Sequence, residues 1–506
     1  MKRRISWKGF HKWVGLVFAV FALIFCVSGI ILNHREAVTD FNVSRSLLPS
    51  SYHIRQYNNG SVKGTLPLGR DSLLAFGGVG VWQTDDGFSK FQDFNAGLPK
   101  GVDERNVRNI VRTKDGAFWC AAQYTLYKLR GDRWVEVPLP GNEERLSDIS
   151  LNADSTGCVV VTRSALYDIK EMTAKPKRIE LSAIKNIEEP KVTLFKTIWM
   201  LHSGELFGLP GKIVVDIVAA FIAFLCVTGI VIFLLPYDIR RRAAKKLKKG
   251  VSGRAKVLRW NFKWHDKIGY ATIILTILIA VTGMCLRPPL MVPFVLVKTS
   301  PLPGSSLDNE NTWHDKLRAI RWDKVNGNWL LSTSEGFAVV DAGFRGNPVM
   351  VEKKDVPPVS PMGVNVFEQE EDGSWLVGSF SGIFRWDRAT GKVTDLSTGK
   401  PYDPSRRSFG VGGDLVSGYS RDVKGHDIVV FDYAKGAPQF PEAPEEFLNQ
   451  PMSLWNTALE LHVGRCYTPF LGPFSDLFVF IAGLLLTLVL VSGLILHRRV
   501  KKRKNG

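Results

Sequence analysis

No two of the six cysteines stand in a C-x-x-C or C-x-x-C-H arrangement, which excludes zinc ribbons and covalently attached c-type haem. Histidine is sparse as well, nine in 506 residues, and none belongs to an H-E-x-x-H run of the kind that holds zinc on a helix. Cys26, Cys226 and Cys285 fall in apolar runs and read as small core residues, while Cys466 precedes the fourth run and lies, like Cys285, near the outer membrane face. Cys120 and Cys158 fall in a polar stretch where a disulfide is permitted.

Four apolar runs are long enough to cross a hydrocarbon core: residues 11–34, Ile213 to Leu235, Ile268 to Leu286 and Leu477 to Leu496. The near-zero mean hydropathy is thus an average over four greasy spans and two long polar insertions. Lys2, Arg3, Arg4 and Lys8 precede the first span. Arg240, Arg241, Arg242, Lys245, Lys246, Lys248 and Lys249 follow the second, and Arg498, Arg499, Lys501, Lys502 and Arg503 follow the fourth. With four crossings all three clusters share one face, which the positive-inside rule makes cytoplasmic. The expectation is a multi-pass membrane protein with both termini inside and both insertions on the far side, which is the periplasm in a Gram-negative cell. The division is 1–35 (first span with its basic N-terminus), 36–200 (first insertion), 201–236 (second span) and 237–264 (basic cytoplasmic loop). It continues with 265–288 (third span), 289–460 (second insertion), 461–497 (fourth span) and 498–506 (basic tail). The net charge of +18 is then spent against anionic lipid, and no nucleic-acid partner is needed.

The halves repeat. "HKWVGLVFAVFALIFCVSG" lies over "HDKIGYATIILTILIAVTG", aligning His11 with His265, Gly15 with Gly269, and Ser28-Gly29 with Thr282-Gly283. "LHSGELFGLPG" resembles "LHVGRCYTPFLGP", aligning His202 with His462, and Thr228-Gly229 follows one as Ser492-Gly493 follows the other. Two spans per half give both halves one orientation, so they are expected to form a four-helix bundle about a pseudo-twofold axis along the membrane normal. The Ser/Thr-Gly pairs read as close helix packing. No span shows a sequence break at mid-membrane, which argues against a transport pathway.

Six of the nine histidines lie at span ends: His11, His265 and His497 on the cytoplasmic side, His34, His202 and His462 on the outer side. Singly, each is a polar residue at an interface. Two layers of three point further, because ionisable groups near a membrane usually face a bundle interior and imidazole is the usual axial ligand of b-type haem. His11 and His34 are about 35 Å apart along one helix, so they cannot serve one centre but can serve two. All six are candidate haem-iron ligands, in two haems. The duplication pairs His11 with His265 and His202 with His462, while His34 and His497 have Pro288 and Phe233 as counterparts. Arg35, Arg287 and Arg465 suit either haem propionates or headgroups, and Trp13, Trp199, Trp264 and Trp455 an interfacial belt.

Both insertions read as β-rich. "DGAFWCAAQYTLYKL", "NGNWLLSTSEGFAVVD" and "DGSWLVGSFSGIFRWD" share a turn, a tryptophan, a strand, a second turn and another strand. Trp329 and Trp375 stand about 46 residues apart, with Trp82, Tyr127 and Tyr167 marking weaker copies, which is propeller-blade spacing. About three units are expected in each insertion. Three cannot close a ring, so the insertions either join into one propeller of about six blades or stand as two β domains.

The "H-x-W-x-G-L…SG" opening, the "LH-x-G" run before each even span, preceded by a tryptophan, and the four-span duplication resemble the PepSY-associated transmembrane family of bacterial inner-membrane proteins. The likeness covers the spans and their flanks. It implies a siderophore-reductase-like oxidoreductase with b-type haem, reducing ferric siderophore or another ferric chelate in the periplasm. Family histidines fall on His11, His265, His202 and His462, while the propeller-like insertions depart from the family's small PepSY modules. No G-x-G-x-x-G fingerprint follows a strand on the cytoplasmic side, so quinol or a separate donor is expected to supply electrons. Further partners are the lipid bilayer and outer-membrane iron-uptake components. The rivals are a membrane-anchored propeller that binds or senses without redox activity, and an accessory subunit of an iron-uptake transporter.

Overall fold

The computed structural model describes residues 6–142, 144–170, 175–184, 191–245, 251–403 and 415–505, without the side chains of 502–505. Lys2, Arg3, Arg4, Lys246, Lys248 and Lys249 lie outside the described residues, as do the side chains of Lys502 and Arg503. The chain forms two compact units: a helical one of Met1–Val38, Glu189–Asn309 and Trp455–Gly506, and a β-rich one of Thr39–Glu188 and Glu310–Leu454.

The helices in chain order are α1 (Trp7–Asn33), α2 (Leu194–Ser203), α3 (Gly208–Ala244), α4 (Val251–Ala271), α5 (Ile273–Cys285), α6 (Met291–Leu296), α7 (Glu445–Leu448, in the β-rich unit), α8 (Leu454–His462), α9 (Thr468–Leu471) and α10 (Ser475–Asn505). Ser6 opens α1 by accepting from the Gly9 amide at 3.1 Å, and Thr193 opens α2 by accepting from the Lys196 amide at 3.2 Å. Gly204 closes α2 at φ +81°, a left-handed turn that a side chain would strain. Three helical stretches are long and apolar enough to cross a membrane, those containing α1, α3 and α10; α4 and α5 together make a fourth if they act as one span.

That fourth element corrects the expectation of unbroken spans. α4 and α5 meet at 68° at Thr272, inside the apolar run. Thr272 Oγ1 donates to the Ile268 carbonyl at 2.9 Å and Thr276 Oγ1 to the Ile273 carbonyl at 3.0 Å, the side-chain back-bonding that bends helices. The expected loop over 237–264 is also largely helix, since α3 runs on to Ala244 and α4 begins at Val251. Its arginines and lysines are good helix formers. Asp238 holds Arg242 one turn on at 3.2 Å and Arg254 of α4 at 2.7 Å.

Within the helical unit α1 packs on α3 and α10, α3 on α4, and α5 on α10. The seam holds Ala22, Cys26, Val218 and Ile222, with Ala219, Ala223 and Cys226 beside them. Small residues let the backbones approach.

Among the described residues the β-rich unit contains five larger sheets, each built on four antiparallel strands, and a short antiparallel pair of Asn42–Val43 with Met452–Ser453. The first is Gly64–Pro67, Ser72–Gly77, Gly80–Asp85 and Phe91–Asp93; the second Asn109–Arg112, Phe118–Ala121, Leu126–Arg130 and Arg133–Val137; the third Leu146–Leu151, Gly157–Thr162, Leu166–Lys170 and Lys177–Ile179. The fourth is Leu317–Asp323, Asn328–Thr333, Gly336–Asp341 and Val349–Met350, and the fifth Val366–Gln369, Trp375–Ser379, Gly382–Asp387 and Lys392–Asp395. Val416–Ser420 and Val429–Asp432 extend the first sheet, through a parallel register of Gly64 with Tyr419. The first insertion therefore supplies three four-stranded units, the second two and a hairpin. The repeated Asp/Asn-Gly turns place Gly116, Gly327 and Gly373 at positive φ between first and second strands, where glycine is cheapest.

Neither insertion closes its own core. One cluster joins Val159, Val161 and Leu166 to Trp313, Leu317 and Trp329. Another joins Tyr57, Trp82 and Phe88 to Phe431, Phe440 and Phe447. Trp82, Tyr127, Tyr167, Trp329 and Trp375 are all buried in these inter-sheet cores, so the aromatic ladder is packing. Cys120 and Cys158 are buried in the second and third sheets and form no disulfide.

Candidate functional site: two histidine pairs

The helical unit brings four of the six span-end histidines together in two pairs. His11 of α1 and His265 of α4 have ring centres 6.2 Å apart. His202 of α2 and His462 of α8 have ring centres 6.1 Å apart. Two imidazoles ligating one metal from opposite sides, each nitrogen about 2 Å from it, put ring centres about 6 Å apart, so both pairs have the spacing of a bis-histidine site. Among the described residues no group of three or more His, Cys, Asp or Glu comes together in metal-binding geometry.

Each ring is seated by a different helix through a Ser/Thr-Gly pair. His11 Nδ1 lies 3.0 Å from Ser492 Oγ and 3.0 Å from the Val489 carbonyl. His462 Nδ1 lies 2.9 Å from Ser28 Oγ and 3.1 Å from the Phe25 carbonyl. His265 Nδ1 meets Thr228 Oγ1 at 2.9 Å, and His202 Nδ1 meets Thr282 Oγ1 at 3.1 Å. The Leu225 and Ile279 carbonyls bond those two rings as well, so all four seats combine a hydroxyl with the carbonyl three residues before it.

This arrangement sets the tautomer. A hydroxyl has one proton to donate. Ser28, Thr228, Thr282 and Ser492 each direct theirs to a carbonyl of their own helix, at 2.6, 2.8, 2.8 and 2.7 Å. Towards the imidazole they can only accept, as can the carbonyls. Nδ1 therefore carries the proton in every neutral ring, and Nε2 keeps the lone pair that a metal requires.

The glycines make room. A Cβ on Gly29, Gly229, Gly283 or Gly493 would stand 3.3, 3.5, 3.0 or 3.1 Å from Cε1 of His462, His265, His202 or His11, respectively. All but the second are tighter than ordinary van der Waals contact. In the sequence these eight residues read as helix packing only. The available signal was their recurrence at one register in all four spans, at the depths of the two histidine layers. His11 and Ser28, which seats His462, are 17 residues apart on α1, about 25 Å of helix, so the layers are separated by most of a hydrocarbon core.

The other two candidates sit elsewhere. His34 Nε2 bonds Asp216 Oδ2 at 2.7 Å, and Asn33 donates to the other Asp216 oxygen at 3.0 Å. His497 bonds Asp266 at 2.9 Å and stacks on Tyr270, ring centres 4.3 Å apart. Each is held by a carboxylate, and neither joins a pair. Arg35 lies over the Trp455 ring at 3.8 Å, Arg287 pairs with Asp476 at 2.8 Å and Arg465 pairs with Glu460. Trp13 and Trp199 face outward, as an interfacial belt requires.

Among solved structures, two crystal structures of the extracellular domain of BT4673 from B. thetaiotaomicron are similar to the chain. One is described as part of a hybrid two component system (10% identity, TM-score 0.35, 78% of this chain and 37% of that one). The other is described as part of a one component system (10% identity, TM-score 0.33, 77% and 39%). This chain thus spans under two fifths of the length of either. No curated protein matches it. The model of the PepSY-associated TM region matches residues 1–235 and 238–499, nearly the whole chain including both histidine pairs and their seats, and the protein is a member of that family.

Proposed function

We propose that this protein is a di-haem b oxidoreductase of the bacterial inner membrane that passes electrons to a ferric chelate, such as a ferric siderophore, on the periplasmic side. The observation that carries the reading is the pair of bis-histidine seats, each with Nδ1 satisfied and Nε2 left as the acceptor nitrogen. His11 and His265 would hold one haem, His202 and His462 the other. When bound, haem b supplies reversible one-electron chemistry.

The chain's own part is positional. Ser492, Thr228, Thr282 and Ser28 hold the imidazoles in one tautomer and orientation, and second-shell partners of this kind are worth about 10–100-fold in metal affinity. Gly493, Gly229, Gly283 and Gly29 let the rings lie against the helices. In the overall reaction quinol loses two electrons and two protons, and two ferric ions each gain one electron. Ferrous iron leaves hard-oxygen chelators more readily, which frees it for uptake. Quinol or another separate donor fits a helical unit without a nucleotide fingerprint.

In the same reading the β-rich unit is a six-bladed propeller on the periplasmic side. Its first strands neighbour one another in chain order, and Val416–Ser420 pairs back onto Gly64–Pro67. Purification in mild detergent, with oxidised and dithionite-reduced spectra and a pyridine haemochrome count, tests the proposal. About two b-type haems per chain are expected; none, after expression with ample haem, would leave a membrane-tethered β-rich binding protein as the better account.

A further inference from the structure

The β-rich unit holds a half-open cavity of about 590 Å³, within the range of small-molecule sites. The first strand of each of the five larger sheets contributes to its wall, and so does Val416–Ser420. Among the described residues nine lysines and arginines line it against five acids.

The acids are largely spoken for. Arg321 holds both Asp148 and Glu368, and Arg421 and Arg385 hold Glu370. Two cations, by contrast, face neutral acceptors. Lys63 Nζ donates to Asn106 Oδ1 at 2.6 Å and to the Val107 carbonyl at 3.2 Å. Arg318, only 7% exposed, donates to the carbonyls of Pro361, Asp315 and Leu317 at 2.9 to 3.0 Å. Burial and the neighbouring Arg108 press the Lys63 ammonium well below lysine's usual value. Burial, with Arg163 and Arg145 nearby and only partly offset by the Asp315 carboxylate that Arg163 holds, lowers Arg318 to about 9. Charged groups held this way are costly unless an anion completes the set, and low-dielectric walls of one sign concentrate such an anion.

We propose that this cavity binds a small polyanion carrying carboxylate or phosphate oxygens, with Lys63 and Arg318 as its principal contacts and Lys324 adding to the field at the rim. The site rests on no electron transfer, and a carboxylate-based chelate is one member of the ligand class.

Isothermal titration of the full-length protein in detergent with citrate, and separately with pyrophosphate, tests it without haem. Saturable binding of at least one is expected, the preferred one naming the source of the oxygens. Added NaCl weakens it, and Lys63→Gln and Arg318→Gln each weaken it at least tenfold. Lys324→Glu, at an exposed position that leaves the core untouched, should weaken it several-fold. No binding of either anion at millimolar concentration would overturn the proposal, as would equal affinity in folded Lys63→Gln and Lys324→Glu proteins.

Discussion

Gly283→Ala isolates the seat from the helix that carries it. The new methyl would lie 3.0 Å from His202 Cε1, about 0.5–1 Å inside ordinary carbon–carbon contact. The ring must give by a few tenths of an ångström, and since ligand geometries tolerate shifts of only about 0.5 Å, that uses most of the tolerance of the seat at Thr282. Overpacking of this kind costs about 1–3 kcal/mol, roughly tenfold to a hundredfold in affinity for whatever the pair binds. The helix itself gains, since Ala is better than Gly in a helix interior by about 1 kcal/mol. On the proposed function the variant folds, inserts and loses one of two haems, read by pyridine haemochrome and by the reduced-minus-oxidised spectrum. Gly229→Ala is the control, because its methyl would meet His265 Cε1 at 3.5 Å, ordinary contact, and both haems should remain. Two haems with an unchanged spectrum in Gly283→Ala would refute the reasoning, and equal loss in both variants would show that crowding of the imidazole is not what matters.

His202→Ala or His462→Ala should each halve the haem count, whereas His34→Ala, which loses its bond to Asp216, and His497→Ala, which loses its bond to Asp266 and its stack on Tyr270, should leave it unchanged; the same spectra decide. Thr282→Val keeps the shape and removes the acceptor, so outer-haem affinity should fall about tenfold or more in a haem titration. In the cavity, the depressed Lys63 regains its charge when an anion arrives. Anion binding should therefore take up protons and weaken as pH rises towards lysine's ordinary range, shown by titration in buffers of different ionisation enthalpy, and Lys63→Met should remove that dependence. For the free protein the sign is opposite. A folded-state value below the unfolded one means the unfolded chain binds more protons between the two, so stability rises with pH across that window, and this increment should be missing in Lys63→Met melts.

Much of the helical unit was legible because duplication writes the same constraint twice. The alignment of His11 with His265 and of His202 with His462 named the two pairs that tertiary structure brings within 6.2 Å. His34 and His497 had the right depth but no duplicated partner, and depth alone does not say which way a side chain faces. The bend at Thr272 escaped because threonine back-bonding depends on rotamer. The 237–264 helices escaped because a charged segment declares helix only once Asp238 has found Arg242 and Arg254.

The sequence by itself determined the apolar spans, the repeat, the β character of the insertions and the histidines that pair. Those signals are periodic or compositional and live within a few residues of chain. Only the tertiary structure decided that Ser28-Gly29 seats a histidine more than four hundred residues away, that the two insertions share cores, and that Lys63 and Arg318 line one cavity. Such contacts form between side chains whose neighbours are chosen by packing, and no local pattern encodes which helix or sheet edge will arrive.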